Sequence, residues 1–277
     1  MSSLMKIYQV DAFSHELFKG NPAAVLVSKT WLADDLMQNI ALENNLSETA
    51  FVKMIDAENF EIRWFTPATE VDFCGHATLA SGFVLFKDYT ETKTIQFHVK
   101  KLGIFTVQQQ QDGKICMNFP IRAAQQVEDY PDILRQALTK PFKNVYINAQ
   151  AYIVEYESVQ DVLDEQPNLE LLKQLGQLRT AITAQSSVDV AITASANTQY
   201  DCVSRYFAPA MGIAEDPVTG SIHTAIAPLW AEKLQQTELV AYQASARGGV
   251  LYCKILPNDR IEISGYAQLY LQGEIMI

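Results

Sequence analysis

Two short segments of this chain combine the residue types that acid/base chemistry and anion binding require. The first is Cys74-Gly75-His76-Ala77-Thr78, and the second is Asp216-Pro217-Val218-Thr219-Gly220-Ser221. Each precedes an apolar run of helical character, so each is predicted to begin a helix. The first N–H groups of a helix have no partner within it, and that end carries a partial positive charge. Both segments are therefore predicted to favour a carboxylate or another anion.

Three side chains are candidates for proton transfer. Glu48 follows a polar break and is either exposed at a strand end or held at a cleft wall, where partial desolvation raises a carboxyl pKa toward neutrality. His76 is either an ordinary surface or core histidine or a neutral imidazole that donates a hydrogen bond to a substrate oxygen. Asp216 precedes a proline and is either only a helix N-cap or a site residue. The residues alone leave these alternatives open.

The cysteines and histidines give little sign of a metal site. The four cysteines, Cys74, Cys116, Cys202 and Cys253, are scattered and form no C-x-x-C pair. This usage is typical of a reduced, cytosolic protein. No H-E-x-x-H motif is present and His15, His98 and His223 have no partners at ligand spacing, so we expect no metal.

An internal repeat links the two glycine segments. Arg63-Trp64-Phe65-Thr66-Pro67 precedes the first, and Arg205-Tyr206-Phe207-Ala208-Pro209 precedes the second, 142 positions later. Further along, Gly103–Val107 matches Gly249–Cys253 at an offset of 146 positions. A repeat of this length implies two similar domains and not a solenoid.

The elements that must position these residues are mostly strands, with one long apolar helix in each half. Helices are predicted over Ala33–Glu43, Thr78–Phe86, Leu169–Leu175 and Ser221–Leu234. Pro120–Pro131 is predicted to be a loop. Strands are predicted in the first half over Lys6–Phe13, Ala24–Val27, Thr49–Val52, Glu61–Phe65, Thr94–Val99, Gly103–Gln108 and Lys114–Phe119. In the second half they are predicted over Asn144–Glu155, Thr180–Thr183, Val188–Thr193, Asp201–Phe207, Glu238–Gln243, Gly249–Leu256, Arg260–Ser264 and Ala267–Ile277.

The predicted class is α+β, with two pseudo-repeated domains, each a mostly antiparallel, barrel-like sheet around a central helix. The first domain is expected over residues 1–120 and the second over 121–264. The last strand, over 265–277, is expected to cross back to the first domain. A cleft between the domains is the expected place for the active site.

Composition narrows the function classes. The chain has 277 residues, 48% of them hydrophobic, a formal net charge of −11 and a pI of about 4.8. Nucleic-acid binding depends on Lys and Arg that neutralise phosphates, so this charge argues against it. No signal peptide and no membrane-spanning run is visible, which makes a cytoplasmic protein without a membrane partner the expectation.

Six blocks, in order along nearly the whole chain, resemble the PhzF-like phenazine-biosynthesis isomerases. This family shares the diaminopimelate epimerase fold. The blocks are Asp11-Ala12-Phe13, Gly20-Asn21-Pro22-Ala23, Asn45-Leu46-Ser47-Glu48-Thr49-Ala50-Phe51, Arg63-Trp64-Phe65-Thr66-Pro67, Cys74-Gly75-His76-Ala77-Thr78 and Glu215-Asp216-Pro217-Val218-Thr219-Gly220-Ser221. One departure is Ile222-His223-Thr224, where small residues around the histidine are commoner in the family, and we interpret it as a helix-packing position.

The resemblance implies roles for individual residues. Glu48 would be the catalytic acid/base, and His76 and Asp216 would shape the site and tune proton transfer. The substrate carboxylate would be held at the two glycine turns. The residues implied to bind substrate are Asn21, Gly75, Ala77, Thr219, Gly220 and Ser221. The family needs no metal or organic cofactor, and its members are often homodimers.

The leading hypothesis is a cofactor-independent isomerase that moves a proton on a small carboxylic acid. The main alternative is an amino-acid epimerase or racemase. In epimerase relatives two cysteines act as opposed bases, and Cys74 fits the first place, but Asp216-Pro217 stands where the second thiol is needed. Cys74 is therefore expected to be a small buried residue. A non-enzymatic binding protein of the same fold is a further alternative. A single unduplicated base, Glu48, favours a proton shift over inversion.

Overall fold

The computed structural model describes residues 4–100, 102–186 and 199–277. These residues form two compact units. The first comprises Met1–Asn118 together with Ser264–Ile277, and the second comprises Phe119–Ile263.

The first unit is built on a mixed sheet with two helices. The helices are α1 (Asp34–Asn44) and α2 (Gly75–Asp88). The strands in the order of the chain are β1 (Leu4–Ala12), β2 (Asn21–Ser28), β3 (Glu48–Met54), β4 (Asn59–Phe65), β5 (Glu70–Val71), β6 (Thr94–Val99), β7 (Gly103–Gln109) and β8 (Ile115–Pro120), of which the last two residues belong to the second unit. The C-terminal strand of the chain, Ala267–Met276, also lies in this unit and pairs antiparallel with β1.

Most strand pairs of the first unit are antiparallel. β1 pairs with β2, β3 with β4, and β6 with β7 in this sense. The parallel pairs are β2 with β3, and β4 with β6. A helix connects the two strands of each pair, because parallel strands need a long crossover connection. α1 buries Met37, Ile40 and Ala41 against apolar residues of β1 to β4.

The second unit repeats this plan. Its helices are α3 (Asp132–Ala137), α4 (Val159–Asp164), α5 (Leu169–Lys173) and α6 (Gly220–Leu234), and Pro209–Met211 forms a 3₁₀ turn. Its strands are β9 (Gln125–Val127), β10 (Phe142–Ile147), β11 (Ala151–Tyr156), β12 (Arg179–Gln185), β13 (Cys202–Phe207), β14 (Glu238–Gln243), β15 (Gly249–Leu256) and β16 (Arg260–Gly265). The C-terminal strand, Ala267–Met276, is therefore β17.

The order of parallel and antiparallel pairs is the same in both units. In the first, β2–β3 is parallel, β3–β4 antiparallel, β4–β6 parallel and β6–β7 antiparallel. The second unit has the same alternation: β11–β12 is parallel, β12–β13 antiparallel, β13–β14 parallel and β14–β15 antiparallel. One helix connects the two strands of the second parallel pair. It is α2 in the first unit and α6 in the second, and both helices are largely buried. The predicted α+β class is confirmed, and the internal repeat is visible in the strand pairing.

Several predicted elements need correction. Asn144–Glu155 is not one strand but two, β10 and β11, because Asn148 makes a turn in which its Oδ1 accepts hydrogen bonds from the N–H groups of Gln150 and Ala151 at 2.8 and 3.0 Å. The segment 120–131, predicted to be a loop, contains β9, which pairs with β10. α3 and α4 are each only six residues long, too short for a clear helical period, and were not predicted. The strand predicted over Val188–Thr193 lies outside the described residues.

None of the helices in the described part of the chain combines the length and the apolar character that a bilayer span needs.

Candidate active site

Glu48 is positioned by the end of α1 and the start of β3. α1 ends at Asn44, and Asn45 adopts the left-handed conformation (φ 49°) while its N–H donates to the Ala41 carbonyl at 3.2 Å. Asparagine tolerates this conformation better than most residues, so the helix stops and the chain turns into β3 within three residues. Parallel pairing with β2 then sets Glu48 opposite Ala23. The side chain of Glu48 is 13% exposed, so it is not the solvent-exposed strand end of the first alternative.

His76 lies in the first turn of α2, whose N-cap is Cys74. The helix begins here because Cys74 is extended (φ −143°, ψ 114°), while its carbonyl accepts from the Thr78 N–H and the Thr78 hydroxyl at 3.1 and 2.6 Å. Gly75 and Ala77 are also buried, and no acidic residue occupies the first turn. The positive end of α2 is therefore not balanced by an acid of its own first turn.

Glu48, His76 and Cys74 are in direct contact. His76 Nε2 lies 3.2 Å from Glu48 Oε2, and His76 Nδ1 lies 3.4 Å from Cys74 Sγ. Burial lowers the pKa of His76 to about 3, so the imidazole is neutral near pH 7. The contact with Glu48 is therefore a close approach of a neutral imidazole to a carboxyl group and not an ion pair.

The second contact of His76 is with the Cys74 thiol, and the tautomer of the ring decides which of the two atoms donates. Cys74 is buried, as expected, but it also contacts a proposed site residue, which its position in the sequence did not indicate. The three side chains thus form one cluster of ionisable groups at the start of α2.

Asn21, the other predicted binding residue of the first unit, is fully buried at the start of β2. It lies two residues before Ala23, the register partner of Glu48. Gly20 makes the preceding turn possible, because it has φ +68° and an added Cβ would lie 2.1 Å from the Ala12 carbonyl oxygen.

The predicted residues of the second unit gather at the N-terminus of α6. Thr219 is the N-cap and Asp216 is not, so the interpretation of Asp216 as a simple N-cap is wrong. The Asp216 carboxylate accepts a hydrogen bond from the Thr219 hydroxyl, and the Asp216 N–H donates to the Tyr206 carbonyl at 2.9 Å. Gly220 and Ser221 form the first turn of α6, which again contains no acid.

Two glutamines that no sequence motif marks hold this turn. Gln243 is fully buried in β14; its Oε1 accepts from the Thr219 N–H at 2.8 Å and its Nε2 donates to the Asp216 carbonyl at 2.7 Å. Gln150 donates from Nε2 to the Ser221 hydroxyl at 2.9 Å and to the Tyr206 hydroxyl at 3.0 Å. Both glutamines lie far from the second glycine segment in the sequence. The internal repeat includes Tyr206, a partner of Gln150, but it does not include the glutamines themselves.

The donor directions at Gln150 have a chemical consequence. Burial raises the pKa of Tyr206 to about 12, so its phenol keeps its proton near pH 7. Because Gln150 occupies an acceptor position on each hydroxyl, the O–H groups of Ser221 and Tyr206 are directed elsewhere and can donate to an anion.

The site residues fall into two sets, one in each unit. Glu48 and His76 stand together with Gly75, Ala77 and Cys74 at the start of α2, and Asp216, Thr219, Gly220 and Ser221 stand together at the start of α6. Among the described residues, the cysteines of the second unit are unsuited to act as bases. Burial raises the pKa of Cys253 to about 12 and that of Cys202 well above its usual value, so both remain thiols.

Comparison with known proteins identifies the family. A family model described as "Phenazine biosynthesis-like protein" matches residues 10–273. The chain belongs to the phenazine biosynthesis-like (PhzF) family. An uncharacterised isomerase of Pseudomonas aeruginosa is 41% identical over 273 residues, covering 99% of each chain. One from Halalkalibacterium halodurans is also 41% identical over 273 residues, covering 98% of each. As a member of this isomerase family, the chain is an isomerase.

Solved structures agree with the family assignment. A PhzF-family protein of Enterococcus faecalis superposes with a TM-score of 0.89 at 38% identity, covering all of both chains. More distant structures share the fold alone: a hydroxyproline epimerase of Agrobacterium vitis with bound trans-4-hydroxy-L-proline (TM-score 0.63, 8% identity, 99% of this chain and 93% of that one) and a methylitaconate-Δ-isomerase (0.54, 11%, 100% and 96%). The predicted family and the epimerase-like fold are both confirmed.

Proposed function

We propose that this PhzF-family protein is a cofactor-independent isomerase that relocates a proton on a small, unsaturated or cyclic hydroxy or amino acid. The observation that carries the proposal is the buried contact of 3.2 Å between Glu48 and a neutral His76 at an unbalanced helix N-terminus. A carboxylate in such a place can accept a proton from carbon and return it.

The proposed reaction needs no change in oxidation state. The Glu48 carboxylate takes a proton from an activated C–H, and the electron pair of that bond moves into the conjugated system. Glu48 then returns the proton at another position, which leaves a shifted double bond and a regenerated carboxylate. His76 packs against the carboxylate and limits its movement, and hydrogen-bond donors stabilise the charge that develops on the substrate.

The substrate carboxylate is assigned to the two glycine turns. Asn21, Gly75 and Ala77 are proposed for the first turn, and Thr219, Gly220 and Ser221 for the second, with Asp216 as an auxiliary acid/base. Free N–H groups at the starts of α2 and α6, and the directed hydroxyls of Ser221 and Tyr206, support this assignment. The fold relatives point the same way, since hydroxyproline and methylitaconate are small carboxylic acids.

The test follows solvent deuterium entry into a panel of unsaturated and cyclic carboxylic acids by NMR. Glu48→Gln keeps the shape of the side chain but removes its basicity, so proton exchange and turnover should fall by about 10²-fold or more. Glu43→Gln, an exposed change on α1, is the matched control and should keep full activity. Full activity in folded Glu48→Gln would refute the assignment.

A second candidate is an epimerase or racemase, favoured by one observation: the Cys74 thiol in contact with His76. It predicts deuterium at a single α-carbon with loss of optical activity, and strong inhibition by thiol alkylation. Exchange at a new carbon, with a moved double bond, supports the isomerisation instead. Binding of such acids without exchange in any of them would point to a binding protein of the same fold.

We also propose that the protein is a cytosolic homodimer. The four cysteines are buried and form no disulfide in the described part of the chain, which suits a reducing compartment. Exposed apolar side chains on β1 and β17 suit burial against a second copy. Light scattering after size-exclusion chromatography checks the dimer, which a mass near 31 kDa would contradict.

A further inference from the structure

The arginines that open the approaches to the two glycine segments make the same contacts in both units. Arg63 of β4 donates from Nε and Nη2 to the two carboxylate oxygens of Glu70, both at 2.7 Å. Arg205 of β13 donates from the same two nitrogens to the carboxylate of Glu215, at 2.8 and 3.0 Å. A bidentate pair fixes the direction between its partners as well as their distance. We call each of these two arginine–glutamate pairs a clamp.

The remaining nitrogen of each guanidinium binds the helix that connects the first parallel strand pair of its unit. Arg63 Nη1 donates to the carboxylate of Asp34, in the first turn of α1, at 2.7 Å. Arg205 Nη1 donates to the carbonyls of Val162 and Glu165, at the C-terminal end of α4, at 3.2 and 2.7 Å. Each clamp therefore connects a strand and a crossover helix to the loop that leads to α2 or α6.

The glutamate of each clamp stands at a fixed position relative to the helix that follows. Glu70 lies four positions before Cys74, the N-cap of α2, and Glu215 lies four positions before Thr219, the N-cap of α6. The arginine and the glutamate are seven positions apart in the first unit but ten in the second. The second loop is therefore longer only between the paired residues. The two units share the clamp and its distance to the helix start.

This spacing connects each clamp to residues of the candidate site. His76 and Ser221 stand two positions after the N-caps of α2 and α6. Asp216 directly follows Glu215, and its N–H donates to the Tyr206 carbonyl of β13 at 2.9 Å. Loss of the pairing at Glu215 would therefore release the backbone next to Asp216.

The clamp of the second unit is the more buried one. The side chains of Arg205 and Glu215 are 11% and 23% exposed, whereas those of Arg63 and Glu70 are 24% and 43% exposed. The guanidinium carbon of Arg205 also lies 5.0 Å from the ring centroid of the buried Phe207. Exposed ion pairs contribute little, but a bidentate and partly buried pair has a defined geometry. We therefore expect the second clamp to have the larger effect.

We propose that Arg205 and Glu215 are positioning residues, which hold Asp216 and the first turn of α6 in the geometry that proton transfer needs. Arg63 and Glu70 have the same role for the first turn of α2. The contribution to proton transfer rests on the proposed function, whereas the effect on the two helix starts rests on the contacts alone.

Hydrogen–deuterium exchange of the backbone amides, measured by mass spectrometry on the full-length protein, tests the effect on the helix starts. Glu215→Gln keeps the size of the side chain but removes its charge and one of its two acceptors, so amides at the start of α6 should exchange at least about fivefold faster. Glu70→Gln should act in the same way, but less strongly, at the start of α2. Glu157→Gln, which removes an exposed ion pair with Lys143, is the matched control and should change neither start.

Kinetics test whether Glu215 acts through Asp216. The rate is that of solvent deuterium entry, by NMR, into whichever acid the wild type exchanges fastest in the panel of unsaturated and cyclic carboxylic acids. Glu215→Gln should lower this rate about tenfold in the wild-type background but less than about threefold in Asp216→Asn, because the positioned carboxylate is already absent there. Arg205→Lys should also lower the rate, since an ammonium group lacks the planar fork of arginine.

The outcomes separate the two parts of the proposal. Unchanged amide exchange at both helix starts in the folded Glu215→Gln and Glu70→Gln variants would overturn the effect on the helices. An equal loss of rate from Glu215→Gln in both backgrounds, or a wild-type rate in Arg205→Lys, would overturn the positioning of Asp216. If the wild type exchanges no acid, the proposed function fails, and amide exchange still decides whether the clamps hold the helix starts.

Discussion

At the level of single residues, the protonation of His76 decides what Glu48 can do. A charged imidazolium 3.2 Å away would hold Glu48 as a permanently ionised partner in a buried ion pair. Burial instead lowers the pKa of His76 to about 3, so the neighbour of Glu48 is a neutral imidazole. A carboxylate beside a neutral group can still gain a proton, which is what a base that returns its proton requires.

Gln150 is expected to control substrate affinity through the hydroxyls of Ser221 and Tyr206. In Gln150→Glu, the carboxylate would accept from both hydroxyls and so use the hydrogens that Gln150 leaves available. The Gln150→Glu change also adds a negative charge near the proposed binding position of the substrate carboxylate. We expect KM to rise about tenfold or more, in line with the strength of hydrogen bonds to charged groups, while kcat stays within about threefold. Steady-state kinetics on the identified substrate measures this split.

Gln150→Met is the control for that prediction, because it keeps the length of the side chain but neither donates nor competes for the hydroxyl hydrogens. It should raise KM less than Gln150→Glu does. Its effect should also be non-additive with Ser221→Ala, since both changes act on the same hydroxyl. Equal KM values in the Glu and Met variants, or strict additivity, would show that Gln150 is only a structural residue.

At the level of elements, the turn between β1 and β2 leaves no room for a side chain at Gly20. Gly20 and Gly176 share a φ of +68°, but an added Cβ at Gly20 would lie 2.1 Å from the Ala12 carbonyl oxygen, whereas nothing lies within 4 Å of one at Gly176. Gly176→Ala should cost about 1–2 kcal/mol of unfolding free energy from backbone strain alone. Gly20→Ala should cost at least about 2 kcal/mol more, because the backbone must move.

Urea unfolding of both variants measures the difference, which isolates the steric contact from the shared strain. Since β2 sets the register of Glu48, Gly20→Ala should also reduce activity, while Gly176→Ala should not. Equal stability losses would mean that the turn relaxes without cost.

The limits of sequence reasoning lie in contacts between distant segments. Motif and residue type together point to Glu48 and His76, and the long helices are predictable because α2 and α6 are 14 and 15 residues long and largely apolar. Gln150 and Gln243 act through side-chain contacts across 71 and 24 positions, which leave no local pattern. The contact of Cys74 with His76 depends on the extended N-cap conformation, which the sequence does not determine.

At the level of the whole molecule, the two units keep the same strand pairing but carry different chemistry. β3 and β12 occupy the same place in the repeat, each parallel to the preceding strand and antiparallel to the next. β3 begins with Glu48, whereas β12 begins with Arg179, whose charge lowers the pKa of Tyr206 and partly offsets its burial. A carboxylate stands at this position in one unit and a cation in the other, so the repeat keeps the backbone pairing but not the charge.

Stability of the molecule should fall in mild acid because of His223. This histidine is fully buried in α6, where Nδ1–H donates to the Thr219 carbonyl at 2.8 Å and Nε2 lies 3.2 Å from the Ser204 hydroxyl. Burial lowers its pKa to about 4 from an ordinary 6.5, although the Thr219 carbonyl offsets part of the shift. Between these two pH values the unfolded chain binds a proton that the folded chain does not, so the free energy of unfolding decreases as the pH falls from 6.5 toward 4.

Integrating this difference, His223 alone should make the protein about 2 kcal/mol less stable at pH 5 than at pH 7. His76 acts in the same direction and is unchanged in the test variant. His223→Asn should lose stability at both pH values because of the smaller side chain, but its difference between pH 5 and pH 7 should shrink by about 2 kcal/mol relative to the wild type. Urea titrations at the two pH values measure that difference, with exposed His15→Asn as the control that should behave like the wild type. An undiminished difference in His223→Asn would show that the buried imidazole takes up its proton in the folded state, and that α6 tolerates a charge near its N-terminus.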